Sequence, residues 1–458
     1  MLRISCPLTR PAEREYICRV LLEEFLGIHY LIEFKDRNDI EITLSGGSEH
    51  RLVLADVLLS KSEAEWLKPA SLPARPLSRL EVEGMETRLP VIYGHGEPPL
   101  EQLRLEQPII HCSLDLFGSC FFMLTRYEEV VSQERDHHDR FPSVQSLAYQ
   151  EGFLDEPIVN RYTELLWRML ESLWPELDRK PRASRKLISH DVDYPFFAMR
   201  RSNLSIAKES LGDVLKRRQL EAAVRKARMI GSRVATLERD PFNTFDWIMG
   251  LSEQAGLRSS FYFITEQTEP GVDGNYAMDD LEIHDLMIQI HERGHEIGLH
   301  PSYRTYLSPQ QIRREFHLLR QQAELAGIHQ EQWGGRQHFL RWQAPDTWQG
   351  WEDAGLQYDS TLGCADRPGF RCGTCYEYPV FNLRTGQSLK LRERPLIVME
   401  LTVLETPHIT EEEAFATIGR YYRECVKYAG DFTLLWHNSR LVRTLDRKVY
   451  QRCIEELK

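Results

Sequence analysis

Two aspartates stand two positions apart in Ser189-His-Asp191-Val-Asp193-Tyr-Pro195. The preceding run, Lys186-Leu-Ile-Ser-His-Asp191, reads as a short strand, and alternation along an extended chain puts Asp191 and Asp193 on the same side. Two ionised carboxylates so placed repel each other unless something compensates them. A cation or metal on one does so and leaves the other free as a base. Gly298-Leu-His300 offers a neutral imidazole ligand at the end of a second strand, and Leu434-Leu-Trp-His437-Asn438 offers another histidine at the end of a third. Taken singly, each has a structural reading of equal weight. Gathered at one set of strand ends, they make the chemistry of a metal hydrolase.

The elements that must position these residues repeat in order after about residue 180. Phe245 to Ala255 predicts a helix, Ser259 to Ile264 a strand, Ile283 to Arg293 a helix and Glu296 to Leu299 a strand. Pro309 to Ala326 predicts a helix, Ile397 to Val403 a strand, Glu411 to Tyr428 a helix and Phe432 to Trp436 a strand. Such alternation argues for a parallel α/β sheet, read here as a (β/α) barrel, whose reacting groups gather at the carboxyl ends of the strands. The first 180 residues mix the two periods, helical in Tyr16–Leu26 and Asp115–Val131, strand-like in Ile40–Leu44. Trp174-Pro-Glu-Leu-Asp-Arg-Lys-Pro-Arg182 marks the boundary. The expected organisation is an α+β domain over 1–180 and the barrel over 181–458.

Composition narrows the classes. The 458 residues are 42% hydrophobic and 28% charged with a net charge of −12, which suits a folded chain with no global pull toward nucleic acid. The start of the chain meets Pro7 and charge before any apolar run of leader length, and no stretch approaches the ~18 apolar residues of a membrane span, so a cytoplasmic protein is expected. Nine scattered cysteines argue against a disulfide framework. Cys372-Gly-Thr-Cys375 has zinc-knuckle spacing but lacks a second pair in register, and reads as reduced loop thiols. Glu134-Arg-Asp-His137-His138-Asp-Arg140 reads as a solvated loop. Against the acidic mean, residues 200–233 carry ten Lys and Arg facing Glu209, Asp213 and Glu221, a local charge of +7. That insertion is either a solvated amphipathic hairpin covering the barrel or a peripheral contact for an anionic polymer or membrane surface.

Residues from about 186 to 440 resemble the polysaccharide deacetylase (NodB-homology, carbohydrate esterase family four) family. The match lies in four ordered segments: Ser189-His-Asp191-Val-Asp193; Gly294-His-Glu-Ile-Gly298 with His300; Arg341-Trp-Gln-Ala-Pro345 with Tyr358-Asp-Ser-Thr-Leu362; and Leu434-Leu-Trp-His437. The resemblance implies a distorted (β/α) barrel of that type, preceded by an amino-terminal extension. It implies a metal-dependent hydrolase releasing acetate from an N-acetylated sugar. Asp193 and His300 would hold a divalent metal, usually zinc; Asp191 would be the general base, Arg341 would keep it ionised, and His437 would protonate the departing amine. Family members carry a second metal histidine where this chain has Arg304. His338, in Arg336-Gln-His-Phe-Leu-Arg341, is the candidate third ligand. Trp342, Tyr303 and Arg371 are the candidate substrate contacts, and Trp348 and Tyr194 suit stacking on a sugar or core packing alike. Glu400 and Glu405 stand near enough to a strand end to serve the site. Arg304 also motivates a second reading, a carbohydrate-binding or assembly protein whose metal site is lost. A chain that stays inside the cell points to a precursor, a nucleotide- or lipid-linked sugar, or a small glycoside as substrate.

Overall fold

The computed structural model describes residues 1–457 except 48, 85–86, 96–101 and 232–233, so Arg233 of the basic insertion lies outside the described residues. Two main sheets divide the chain. The first contains β1 (Leu2–Pro7), β2 (Tyr30–Lys35), β3 (Asp39–Leu44), β4 (Arg51–Ala55) and β5 (Ile109–Cys112), in the order β2-β1-β3-β4-β5. Its pairings are mixed: β1 with β2 and β4 with β5 are parallel, the others antiparallel. The helical period of Tyr16–Leu26 appears as an α-helix, Pro11–Cys18, continued by a wider π-type turn through Leu26. The partly helical stretch Asp115–Val131 forms two helices, Leu116–Leu124 and Tyr127–Val131, parted at Arg126, which takes a left-handed φ of 54°.

Residues 177–185 carry no regular element. Beyond them lie β6 (Lys186–Val192), β7 (Ser259–Phe263), β8 (Glu296–Leu299), β9 (Gly334–Gly335), β10 (Tyr358–Asp359), β11 (Tyr378–Asn382), β12 (Gln387–Glu393), β13 (Val398–Met399) and β14 (Phe432–Leu435). They form a nine-stranded sheet in the order β11-β12-β10-β9-β8-β7-β6-β14-β13. Every pairing is parallel except that of the edge strand β11 with β12. Helices Phe245–Gln254, Leu281–Glu292, Pro309–Leu325, Asp346–Ala354 and Glu411–Lys427 make the crossovers. The expected parallel α/β alternation is present, and among the described residues no pairing joins β11 to β13 to close the distorted (β/α) barrel that was expected. β13 is the reason on one side: the apolar run Ile397–Val403, read as a strand, pairs over two residues only and then coils into a helix at Glu400. Short apolar runs carry no period that separates the two states.

A continuous apolar core runs through both parts, from Leu2 and Leu52 to Leu434. Tyr16 donates to the Pro379 carbonyl at 2.8 Å, and Arg371 reaches Glu129 at 2.7 and 2.9 Å, so polar contacts also join the two parts. Cys372 and Cys375 are both buried free thiols.

Two features set the register at the site. Gly335 lies so close to β8 that a Cβ would sit 1.8 Å from the Leu299 carbonyl oxygen. Glu315, fully buried on helix Pro309–Leu325, accepts from the Ser302 amide at 2.9 Å and the Ser302 hydroxyl at 2.5 Å, fixing the turn that follows His300. Gly335→Ala is expected to cost about 2 kcal/mol or more, read as a lowered urea midpoint. Burial pushes the Glu315 carboxyl from 4.5 up to about 7, against the hydrogen bonds of Ser302. The folded state therefore holds this proton more tightly than the unfolded chain, and stability is lost as pH rises from about 4.5 to about 7. Unfolding of wild type and Glu315→Gln across that range should show the difference in their stabilities shrinking or reversing with pH by on the order of 3 kcal/mol.

Candidate metal centre

The site is built where β6, β8, β9, β13 and β14 end. On β6 the alternation holds: Ser189 and Asp191 turn to the site, and His190 turns the other way. His190 is buried, stacks on Phe261 at 4.9 Å, and sits 2.7 Å from the Trp436 carbonyl through Nδ1; burial pushes it down to about 3, so it is a neutral core residue.

Asp191 is held by Arg336. That guanidinium, fully buried, donates to Asp191 Oδ1 at 2.8 Å, to the Ser189 hydroxyl at 3.0 Å, and to the Ser360 carbonyl and hydroxyl at 2.9 and 3.1 Å. The Tyr358-Asp-Ser segment thus serves the arginine. An ion pair removed from water this completely needs its donors matched, and every nitrogen of this guanidinium has an acceptor. Asp191 Oδ2 is left facing His300 Nε2 at 3.7 Å.

Around Asp193 the arrangement is threefold. His300 Nε2 lies 3.2 Å and His338 Nε2 3.8 Å from its Oδ1, and His437 Nε2 lies 3.7 Å from its Oδ2. Each imidazole has its other nitrogen engaged. Nδ1 of His300 meets the Arg336 carbonyl at 2.5 Å, that of His338 meets Asp273 at 2.8 Å, and that of His437 meets Glu400 at 2.6 Å. Such partners fix ring orientation and leave Nε2 as the reactive atom. Asp273 ties three loops together, because its carboxylate also accepts the amides of Thr268, Glu269 and Tyr303.

The electrostatics favour positive charge here. Burial alone would push the Asp193 carboxyl up, but the charge of His338, the contact with His300 and the charge of His437 hold it well below the usual carboxylate range. Burial would lower His300, yet Asp191 and Asp193 raise it. Burial likewise opposes charge on His437, yet Glu400 and then the two aspartates lift it to about 9. The field would be met equally by protons or by a metal ion.

Donor chemistry supports the metal. One carboxylate oxygen and two imidazole nitrogens, from Asp193, His300 and His338, lie within 4.8 Å of one another. Asp193 Oδ1, at their centre, is buried and accepts no hydrogen bond. An oxygen and nitrogen set of this kind with an open side suits zinc or a similar divalent ion.

Several expected contacts fall elsewhere. Arg341 does not reach Asp191; it donates to the carbonyls of His138 at 2.8 Å and Tyr303 at 2.7 Å, and to Asp139 at 3.2 Å. Five residues of extra chain, including a turn with left-handed φ at Phe339 and Leu340, carry it past the aspartates. Trp342 is buried against Trp348 at 4.8 Å, and Arg371 is consumed by Glu129 and the Gly363 carbonyl, so neither reaches the cleft. Tyr303 is half-buried beside His338, its hydroxyl 2.9 Å from His138 Nδ1. Arg304 is 66% exposed and pairs with Glu269, turned away from the site. Glu405 pairs with Arg440 and Arg443, also away from it.

The loop 134–140, read as solvated, has no buried residue, and its second half also touches the turns that follow β8 and β9. Arg140 donates to the Phe339 carbonyl at 3.0 Å, Tyr306 donates to Asp139 at 2.9 Å, and His138 packs on Phe339 at 4.7 Å. Arg336 and Asp273 had gone unnoticed in the sequence. Arg336 directly follows the Gly334-Gly335 pair, a cue to close strand approach; Asp273, between two loop glycines, gives no comparable cue.

A profile for a family of unknown function, DUF7033, matches residues 2–175. No curated protein matches the chain. Among solved structures, one described as a polysaccharide deacetylase from Mycobacterium smegmatis is 17% identical, over 60% of this chain and 85% of its own, with a TM-score of 0.37. Puue allantoinase is 15% identical over 60% and 87%, with a TM-score of 0.35. A structure described as a polysaccharide deacetylase from Pseudomonas aeruginosa PAO1 is 15% identical over 60% and 88%, with a TM-score of 0.34.

Isothermal titration with zinc should separate the residues that converge from the one that turns away. Asp193→Asn and His338→Ala are expected to weaken binding by about 10- to 100-fold or more, while Arg304→Ala stays within about twofold of wild type.

Proposed function

We propose that this chain is a metal-dependent amide hydrolase that removes an acetyl group from an N-acetylated sugar or sugar conjugate. The observation that carries the reading is the convergence of three imidazole Nε2 atoms on Asp193 beside an Asp191 held by a buried arginine. The four sequence segments that resemble polysaccharide deacetylases support it. Asp193, His300 and His338 would hold a divalent ion, which supplies Lewis-acid polarisation of the acyl carbonyl. Asp191 takes the proton of the attacking water. Arg336, not Arg341, pairs with its carboxylate and aims it. His437 carries a proton to the departing nitrogen, and Glu400, 2.6 Å from its Nδ1, holds the ring in place and favours its charged form. The bond broken is the amide C–N; the products are acetate and a free amine. The loop 136–140 and Phe339, 37% exposed, stand beside the His338 side of the cleft, where a sugar ring would lie.

A binding-only role draws its motive from Arg304, and that side chain pairs outward with Glu269. Acetate release from N-acetylglucosamine oligomers by the zinc-loaded protein tests the assignment. Asp191→Asn and His437→Ala should each lose about 100- to 10,000-fold in kcat while retaining zinc. Full activity in Asp191→Asn would remove the assigned base.

A further inference from the structure

Between Asp193 and helix Phe245–Gln254 the chain makes an excursion that the chemistry above does not use. Helices Asn203–Leu215 and Leu220–Ala227 pack as a hairpin. Its inner side has a small core of its own, with Ile206, Ala222 and Met229 against Phe197, Phe242 and Val442. Beneath it Lys226 pairs with Glu209 at 2.9 Å and Asp213 at 3.0 Å. With its inward stripe of Ile206, Ser210 and Asp213 buried, the first helix should turn a polar side outward.

It turns leucines outward. Leu204, Lys208, Leu211 and Leu215 follow one another at helical spacing, Leu204 80% and Leu215 69% exposed. Leu220, 66% exposed, and Val224 are likewise exposed on the second helix, as is Ile230 beyond its end. Among the described residues, seven of the 17 exposed large hydrophobic side chains lie between 204 and 230. A surface this apolar on a folded chain is one that something covers.

Charge says what covers it. Residues 200–231 hold nine Lys and Arg against three acids. Those acids are taken up by Arg201, Arg217, Arg225 and Lys226. Lys208, Lys216 and Arg218 are exposed among the leucines and have no carboxylate partner among the described residues. A second copy of the chain meeting this surface across a two-fold axis would bring together two surfaces of the same net positive charge, with no free acids to answer the cations. An uncharged apolar partner would leave them without counter-charge. Leucines flanked by lysine and arginine match a bilayer with acidic headgroups, whose acyl boundary takes the former and whose phosphates take the latter.

We propose that the 203–230 hairpin docks this protein on an anionic lipid surface. No membrane span is involved: among the described residues no helix is long and apolar enough to cross a bilayer. The hairpin stands on the strand ends that carry the metal centre. Phe197 follows Asp193 by four residues and Val442 follows His437 by five, and Asn438 donates to the carbonyls of Tyr194 at 3.0 Å and Phe242 at 2.9 Å. Docking would therefore hold the segments that follow Asp193 and His437 on the membrane side of the molecule, whatever reaction those residues perform.

Co-sedimentation of the full chain with phosphatidylcholine vesicles, made with and without phosphatidylglycerol, tests this. The wild type should partition onto the anionic vesicles at least about tenfold more strongly than onto the neutral ones, and less as salt is raised. Leu211→Asp with Leu215→Asp, and separately Lys208→Glu with Lys216→Glu and Arg218→Glu, should each lose at least about tenfold. Leu325→Asp, at a 68% exposed leucine on helix Pro309–Leu325, should bind as wild type does. Zinc binding in all variants should stay unchanged, which separates this result from any failure of the proposed hydrolase. Absence of vesicle binding, equal binding to neutral and anionic vesicles, or full binding by the charge-reversed variant would overturn the proposal. So would a wild-type dimer that Leu211→Asp with Leu215→Asp turns into a monomer, since that outcome assigns the surface to self-association.

Discussion

Asp191 and Asp193 are two carboxylates at one strand end, their side chains 3% and 17% exposed, and nearly everything around them compensates that charge. Leaving either uncompensated would cost several kcal/mol. Asp191 is neutralised by Arg336, and Asp193 by three imidazoles on three other strand ends. Two consequences follow for the fold. β9 must come close to β8 to deliver Arg336 and His338, and Gly335 allows it where it pairs with Leu299, while Gly334 makes room for the Tyr358 ring on β10. Each imidazole must also be tethered, and Arg336 through its carbonyl, Asp273 and Glu400 do that from behind. The same groups thus satisfy the buried charges and aim the nitrogens a metal would need.

Much of this was legible in the residues, and the misses have a common cause. Alternation on a strand is a strict rule, so the shared side of Asp191 and Asp193 could be read directly, as could the strand ends bearing His300 and His437. His338 could be picked out by type and nearness in sequence. Direction after a strand end follows no such rule. Arg336 and Arg341 are equally plausible partners for Asp191 until the left-handed turn at Phe339 and Leu340 is known to carry the second away. Arg304 was legible as a departure from the resembled pattern, but its outward rotation toward Glu269 was not. Trp342 and Arg371 have the residue types of substrate contacts, and burial against Trp348 and Glu129 decided otherwise. Glu400 and Glu405 both stood near a strand end, and only the first serves the site: the strand is shorter than its apolar run, and the chain coils at Glu400 and turns its carboxylate onto His437.

The amino-terminal region is tied to this chemistry by contacts its composition did not announce. Five charged residues in seven made the loop after Val131 look solvated, yet Asp139 and Arg140 spend their charges on Arg341, Tyr306 and the Phe339 carbonyl. The turn that presents His338 and Phe339 is propped from this region. The buried Arg371–Glu129 pair joins the two parts a second time. On the other flank the basic hairpin rises from the segments that follow Asp193 and His437. The cleft is therefore walled by segments far apart in the chain.

The central claim is that Asp193, His300 and His338 together bind a metal. X-ray absorption at the zinc edge of the zinc-loaded protein tests it most directly. The zinc should show a first shell of nitrogen and oxygen only, at about 2.0–2.1 Å, with two imidazole scatterers that fall to one in His338→Ala. A shell containing sulfur, or an imidazole count unchanged by His338→Ala, would contradict it.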